Sequence, residues 1–329
     1  MTRRQFVLRR SLQAVFVICL SYTLVFFALF ALPGNPIYNK LHNPLNPLPK
    51  SAVKPLEHYY HLDDSPLQQF LVSIGRLFRG DLGFSLVSGN KVTDLIGHAI
   101  PKTVALAGAS LAIALVLALG IALLAVFSPW RAVRNVVKLL PGLFLSVPSF
   151  VLGFLVLQVF SFDLGWFSAI ESEGAKSYVL PAITLGIAVT GPIAQVLITG
   201  LTKAAREPFV TVLRAKGVPP MTITARHILK NGSIPSITLL ALTVADLLAG
   251  AVVVETVFNL PGLGLVTQQA VRDQDTPVVM AVVVLVSAIY TIINLLTDLL
   301  YPVIDPRISV IGQKRPRRRP LSARRAVGA

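Results

Sequence analysis

Side chains able to do chemistry are few in this sequence and unevenly placed. The densest group is EHYYHLDD, residues 57–64, which brings together His58, His61, Asp63 and Asp64. Two histidines at i, i+3 beside carboxylates could hold a metal ion. The same composition also suits a solvated polar loop. Asp246 stands alone inside the apolar run LALTVADLLAGAVVVE, and Glu255 closes that run just before TVFNLPGLG. Other chemistries lack their residues. The chain has no G-x-x-x-x-G-K-[ST] loop to cradle nucleotide phosphates and no H-E-x-x-H pair. PGLGLV has neither the preceding strand nor the glycine pattern of a dinucleotide loop and reads as a turn. The single Cys19 excludes an internal disulfide and reads as a packing residue.

The elements that must position these residues are apolar and long. Of 329 residues, 54% are hydrophobic and 14% charged, against about 25% charged in a soluble domain. Six runs are long enough to cross a bilayer: about 11–32, 103–127, 139–162, 178–201, 234–257 and 277–300. Lipid offers backbone groups no partner, so each such run is expected as a helix. The short alternating segments of a membrane barrel are missing. The first run follows MTRRQFVLRR but is longer than a signal-peptide core, and ALPGNP is a poor cleavage site; an uncleaved span is expected.

Lys and Arg orient the spans. Most of the 30 fall in the N-terminal tail, in the loops after the second and fourth spans, and in the C-terminal tail with KRPRRRP. Both termini are therefore expected in the cytoplasm. Basic residues beside a last span read as positive-inside charge near anionic lipid, not as a nucleic-acid site. NGS at 231–233 is a glycosylation sequon by pattern, without meaning on the cytoplasmic side. Domain organisation follows: 1–32, N-tail and first span; 33–101, an extracytoplasmic segment; 102–305, a five-helix core containing a cytoplasmic loop at 203–233; 306–329, a basic tail.

Two connecting segments carry local signals. After a proline-rich start, DDSPLQQFLVSIGRLFRG predicts an amphipathic helix capped by Ser65, started by Pro66 and ended by Gly80. Its apolar face could lie on the membrane surface or pack on the spans. In the 203–233 loop, Pro208 suits a first helical position, Gly217 suits the left-handed position that ends a helix, and Pro219-Pro220 forbids simple continuation. A second helix is expected there with Met221, Ala225 and Ile228 on one side. The loop is either solvated or a short helix pair presented to a partner. Pro141, Pro148, Gly153, Pro181, Gly186, Gly191 and Pro192 fall in the third and fourth spans, where they kink helices or let backbones approach.

FVTVLRAKGVPPMTITARHILKNGSIP, residues 209–235, resembles the cytoplasmic EAA loop of ABC-importer permeases, in particular the B-type permease of oligopeptide and dipeptide importers. RGDLGFSL at 79–86, LLAGAVVVETVFNLPGLGLV at 247–266 and DLLYPVIDPRI at 298–308 are similar to further motifs of that family, in order along nearly the whole chain. The positions aligned with Glu-Ala-Ala are Thr211, Val212 and Leu213, a departure, while RAKG is kept.

The resemblance implies an all-α polytopic membrane protein of six transmembrane helices with the type I ABC importer permease fold and an outer segment between the first two. It implies a non-enzymatic permease subunit for di- or oligopeptides, with nickel or haem importers and a secondary transporter as alternatives. Such a chain binds no cofactor; ATP is bound by partner ATPase subunits. The other implied partners are a second, C-type permease, an extracytoplasmic substrate-binding protein and membrane lipid. Val212, Leu213, Arg214, Ala215, Lys216, Gly217, Met221 and Thr222 would form the coupling helix that docks on an ATPase. Asp246 and Glu255 would stand on the translocation path. The outer helix would pack at the mouth, under the binding protein.

Overall fold

A computed structural model describes residues 3–30, 36–43, 50–168 and 174–304. The basic tail at 306–329 and most of the proline-rich start of the outer segment lie outside them. The described residues are helical apart from turns and one isolated bridge, Phe84 to Lys91.

Helix α1 (Arg3–Phe30) is followed by three shorter helices, α2 (Pro36–Leu41), α3 (Lys50–Tyr60) and α4 (Pro66–Phe78). Next comes α5 (Val92–Phe127), 36 residues long and continuous through Pro101. It starts inside the segment read as extracytoplasmic, because Asp94 and the following residues extend the helix ahead of the apolar run. Helices α6 (Arg131–Val137), α7 (Leu140–Ser146) and α8 (Ser149–Leu157, extended by a π turn at Gln158–Asp163) replace the single third span expected at 139–162. The two limbs, Arg131–Ser146 and Ser149–Asp163, meet at 105°. Val147 precedes a proline and takes extended angles, φ −97 and ψ 119, which breaks the helix there.

Helix α9 (Val179–Ala205) leads into α10 (Pro208–Ala215), then α11 (Pro220–Thr222), a π turn at Ile223–Ile228 and α12 (Leu229–Gly232). Helix α13 (Ile234–Val257) bends by 51° between its limbs Ile234–Val244 and Asp246–Val257. Close to the bend, the Thr243 hydroxyl donates to the Leu239 carbonyl (2.9 Å), a back-bond that favours bending. Helix α14 (Leu263–Arg272) and helix α15 (Thr276–Ile304) complete the described chain.

Among the described residues, four helices are long and apolar enough to cross a membrane, and up to six spans result if each bent pair is one. Helix α5 packs along α9, α13 against α9 and α15, and α1 along α15. The core is divided by depth. One cluster (Val92, Ile96, Ala99, Leu263, Ala270, Val278) joins α5, α14 and α15 at one end. Another (Ala122, Leu197, Leu201, Val210, Ile223, Ile228) joins α5 and α9 to the 203–233 loop at the other.

Candidate functional site

The 203–233 loop is a bent pair of short helices with a packed inside and a free outside. Pro208 opens α10, as its fixed φ allows, and Gly217 turns the chain at φ +74. Val210 is buried, and Phe209 and Leu213 pack beside it against Ala122, Leu123, Val126 and Phe127 of α5 and Leu197 and Leu201 of α9. The apolar stripe of α10 thus mostly faces inward. Val212 (53% exposed) and Met221 (78%) face out, together with Arg214, Ala215, Lys216 and Gly217, while Thr222 is half-buried.

The second half departs from the expected pattern. Met221 and Ala225 are exposed, and the buried pair is Ile223 and Ile228. Residues 223–228 form a π turn, whose i→i+5 bonds align residues five apart instead of four. The loop is held down at its exit by glycine on glycine. A Cβ added at Gly200 would lie 2.1 Å from the Gly232 carbonyl oxygen, and one at Gly232 would lie 2.9 Å from the Leu201 backbone.

Glu255 is wholly buried, 0% exposed. A carboxylate that snorkels to water or lines an open path would not be. Its Oε1 accepts from the Thr103 hydroxyl of α5 (2.6 Å) and its Oε2 from the Gly264 N–H (2.6 Å), with the Leu265 N–H also donating. The same Thr103 oxygen accepts from the Leu263 N–H at 2.9 Å. The carboxyl group therefore caps α14, whose Gly262 start has no side chain of its own to do so. Gly262 and Gly264 are required by this closeness: a Cβ at Gly262 would meet the Glu255 carboxyl group at 2.3 Å, and one at Gly264 would meet the Val252 Cα at 2.3 Å. Glu255 thus ties α5, α13 and α14 together.

Asp246 lies at the opposite extreme. It begins the second limb of the bent α13 and is exposed on the isolated chain, whereas Leu247 beside it is buried. The fold does not bring Asp246 and Glu255 into one site.

A second buried acid, Asp275, has no counterpart in the sequence reading. It precedes α15, is 4% exposed, and accepts from the Ser85 hydroxyl and from the Leu86 N–H (3.0 Å). Burial pushes its carboxyl above the usual carboxylate range, against these hydrogen bonds. The motif RGDLGFSL is thereby clamped to the start of α15. Its other end is held by tyrosines: Tyr60 donates to the Phe84 carbonyl (2.7 Å) and accepts from the Phe84 N–H (2.9 Å), and Tyr59 donates to Asp81 (2.7 Å). Burial raises the Tyr60 hydroxyl pKa above its ordinary value. Gly83, at φ +85, leaves the room Tyr60 needs, since a Cβ there would lie 2.7 Å from its oxygen.

In the EHYYHLDD group, His61 pairs with Asp64 at 2.9 Å, and the His58 ring stacks on it at 6.2 Å between centroids. Among the described residues, no group of three or more His, Cys, Asp or Glu is placed to hold a metal ion.

A family model described as "Binding-protein-dependent transport system inner membrane component" matches residues 114–310. The "Glutathione transport system permease protein GsiC" of Escherichia coli strain K12 is 32% identical over 305 residues, covering 92% of this chain and 98% of that protein. Its Salmonella typhimurium namesake is 34% identical over 306 residues, with the same coverage of 92% and 98%. A solved chain, "Crystal structure of an amino acid ABC transporter with histidines", superposes with a TM-score of 0.48 at 16% identity over 66% of this chain and 95% of that one. That likeness is too slight to add to the argument.

Proposed function

We propose a function from the premise that this chain belongs to the family of binding-protein-dependent transport system inner membrane components. It is a multi-pass permease subunit of an ABC importer. The substrate is a short peptide, glutathione-sized molecules included, in line with the named activity of its relatives. The permease pairs with a homologous C-type permease, and together they form the path. One or two ABC ATPase subunits bind and hydrolyse ATP, and this chain binds no cofactor. An extracytoplasmic binding protein delivers the solute. Both termini are cytoplasmic, following the Lys and Arg distribution. Binding of ATP closes the ATPases and opens the cavity outward; hydrolysis resets it inward.

The observation that carries the coupling role is the two-sided build of the 208–232 helix pair. Its inner side is fused to α5 and α9 through Val210, Ile223 and Ile228, and its outer side leaves Val212, Arg214, Ala215, Lys216 and Met221 free for a partner. A docking helix needs both. Gly217→Val tests it. The added side chain meets nothing within 4 Å, so it creates no clash, yet it strains the positive φ. At roughly 1–3 kcal/mol of strain, peptide uptake and ATP hydrolysis stimulated by the loaded binding protein are expected to fall about tenfold. Gly217→Asn, which tolerates that conformation, should retain most of both. Normal coupled hydrolysis and uptake in Gly217→Val would refute the role.

Asp246 is proposed to face the path. An aspartate at mid-span costs roughly 2.5–3.5 kcal/mol on insertion scales and must meet protein or water. Asp246→Asn is expected to alter uptake rate or peptide preference without lowering the yield of assembled complex. Unchanged transport across a peptide panel with both Asp246→Asn and Asp246→Leu would remove it from the path. Reduced assembly with Asp246→Leu would instead mark a contact to the second permease.

A further inference from the structure

We infer that α4, the capped helix of the outer segment, lies in the bilayer interface with its free face in lipid, not beneath the binding protein. The first observation is its inverted amphipathicity. In water, a helix packed on a protein turns its apolar side inward. Here Gln69 is 4% exposed and donates to the Asp64 carbonyl at 2.9 Å, and Arg76, half-buried, lies over the Tyr59 ring, 3.8 Å from its centre. Outward stand Leu67 (62% exposed), Leu71 (57%) and Phe78 (76%). At 100° per residue these three fall on one narrow stripe, with Gly75 beside them. Such a helix suits an apolar medium.

The second observation is depth. On its inner side Phe70 touches the rings of Tyr22, Phe26 and Phe27 of α1, with centroids 6.1, 5.2 and 5.4 Å apart. The apolar stretch of α1 runs from Val7 to Ala28. Tyr22, Phe26 and Phe27 are therefore roughly 9, 3 and 1.5 Å inside its end at 1.5 Å per residue. Phe70 thus stands beside the last turns of the span, overlapping the depth of about 5–10 Å at which interfacial helices bury their apolar faces. The third observation is continuity. Leu20, Leu24 and Phe27 of α1 are themselves exposed to the surroundings of the span, so the stripe on α4 extends an existing lipid-facing surface. The capping box at Ser65 and Gln68 fixes where the helix begins and so holds the stripe in register.

This inference is independent of the substrate and of the coupling role. Tryptophan is placed at Leu71 or Phe78 of this chain, with its Trp130 and Trp166 replaced by Phe, the full transporter is reconstituted in brominated phospholipid, and the signal is read as the difference from the same complex without the added tryptophan. Fluorescence is expected to drop by about half or more relative to unbrominated lipid, as for an interfacial helix, and to stay so when saturating loaded binding protein is added. Leu24→Trp in α1 reports that the quencher is active. Absence of quenching at both α4 positions, with Leu24→Trp quenched, overturns the proposal. So does protection of either position by the binding protein, which would place that protein on the stripe. If either variant fails to assemble, Leu67→Trp reads the same face.

Discussion

Glu255→Leu is expected to prevent accumulation of the assembled permease. The substitution leaves the Gly264 N–H, the Leu265 N–H and the Thr103 hydroxyl facing an apolar side chain in a fully buried site. Each orphaned buried group costs about 1–3 kcal/mol, and three together approach the whole stability of a domain. The α14 cap is lost in the same step. Glu255→Gln should be far milder. Its amide oxygen can accept from Gly264 while its NH2 donates to the Thr103 oxygen, so the junction keeps most of its bonds. Yield and thermal unfolding of the purified complex measure both variants. Equal behaviour of Leu and Gln would show that the hydrogen bonds at this junction contribute nothing.

Gly200→Val should be the most damaging change near the 203–233 loop. The contact it would violate is backbone on backbone, 2.1 Å to the Gly232 carbonyl oxygen, so no side-chain rotation relieves it. Overpacking usually costs about 1–3 kcal/mol and more where the neighbour cannot yield. The helices must separate, and α12 then leaves α9. Gly200→Ala is expected to show the same defect in reduced form. Gly120→Ala on α5, where nothing lies within 4 Å, serves as the control and should be neutral or slightly stabilising. The check is the melting temperature of the complex beside its coupled ATPase rate. A Gly200→Val complex as stable as the parent would mean that the helices can slide past each other there.

The spans were legible because lipid admits only helices, and hydropathy finds them. The Ser65 cap and the Gly217 turn were legible because a single residue type decides each. The break at Val147 and Pro148 was visible as a position, but its 105° angle depends on what each limb packs against, including α7 on Gly191. The π turn at 223–228 had no local mark. It is the register that buries both Ile223 and Ile228, and an α-helical reading chose Met221 and Ala225 instead. Asp275 escaped because its partner Ser85 is 190 residues away in the chain. Glu255 was found as a residue but expected on the translocation path, since nothing in ETVFNLPGLG announces that Thr103, 152 residues upstream, closes over it.

Helix α5 touches both of the regions on which a transport cycle would act. At one end Leu123, Val126 and Phe127 pack into the cluster that carries Val210, Ile223 and Ile228; at the other Ile96 and Ala99 pack on α14 and α15, and Thr103 holds Glu255. From Ile96 to Leu123 is roughly 40 Å of helix at 1.5 Å per residue. A rod of that length is a lever. Pivoting α5 by only about 5° about one end displaces the other by roughly 3.5 Å, comparable to two residues of helical rise. The Thr103–Glu255 junction can therefore register a rotation of the 203–233 loop that is itself smaller than a side chain, without any intermediate element having to change shape.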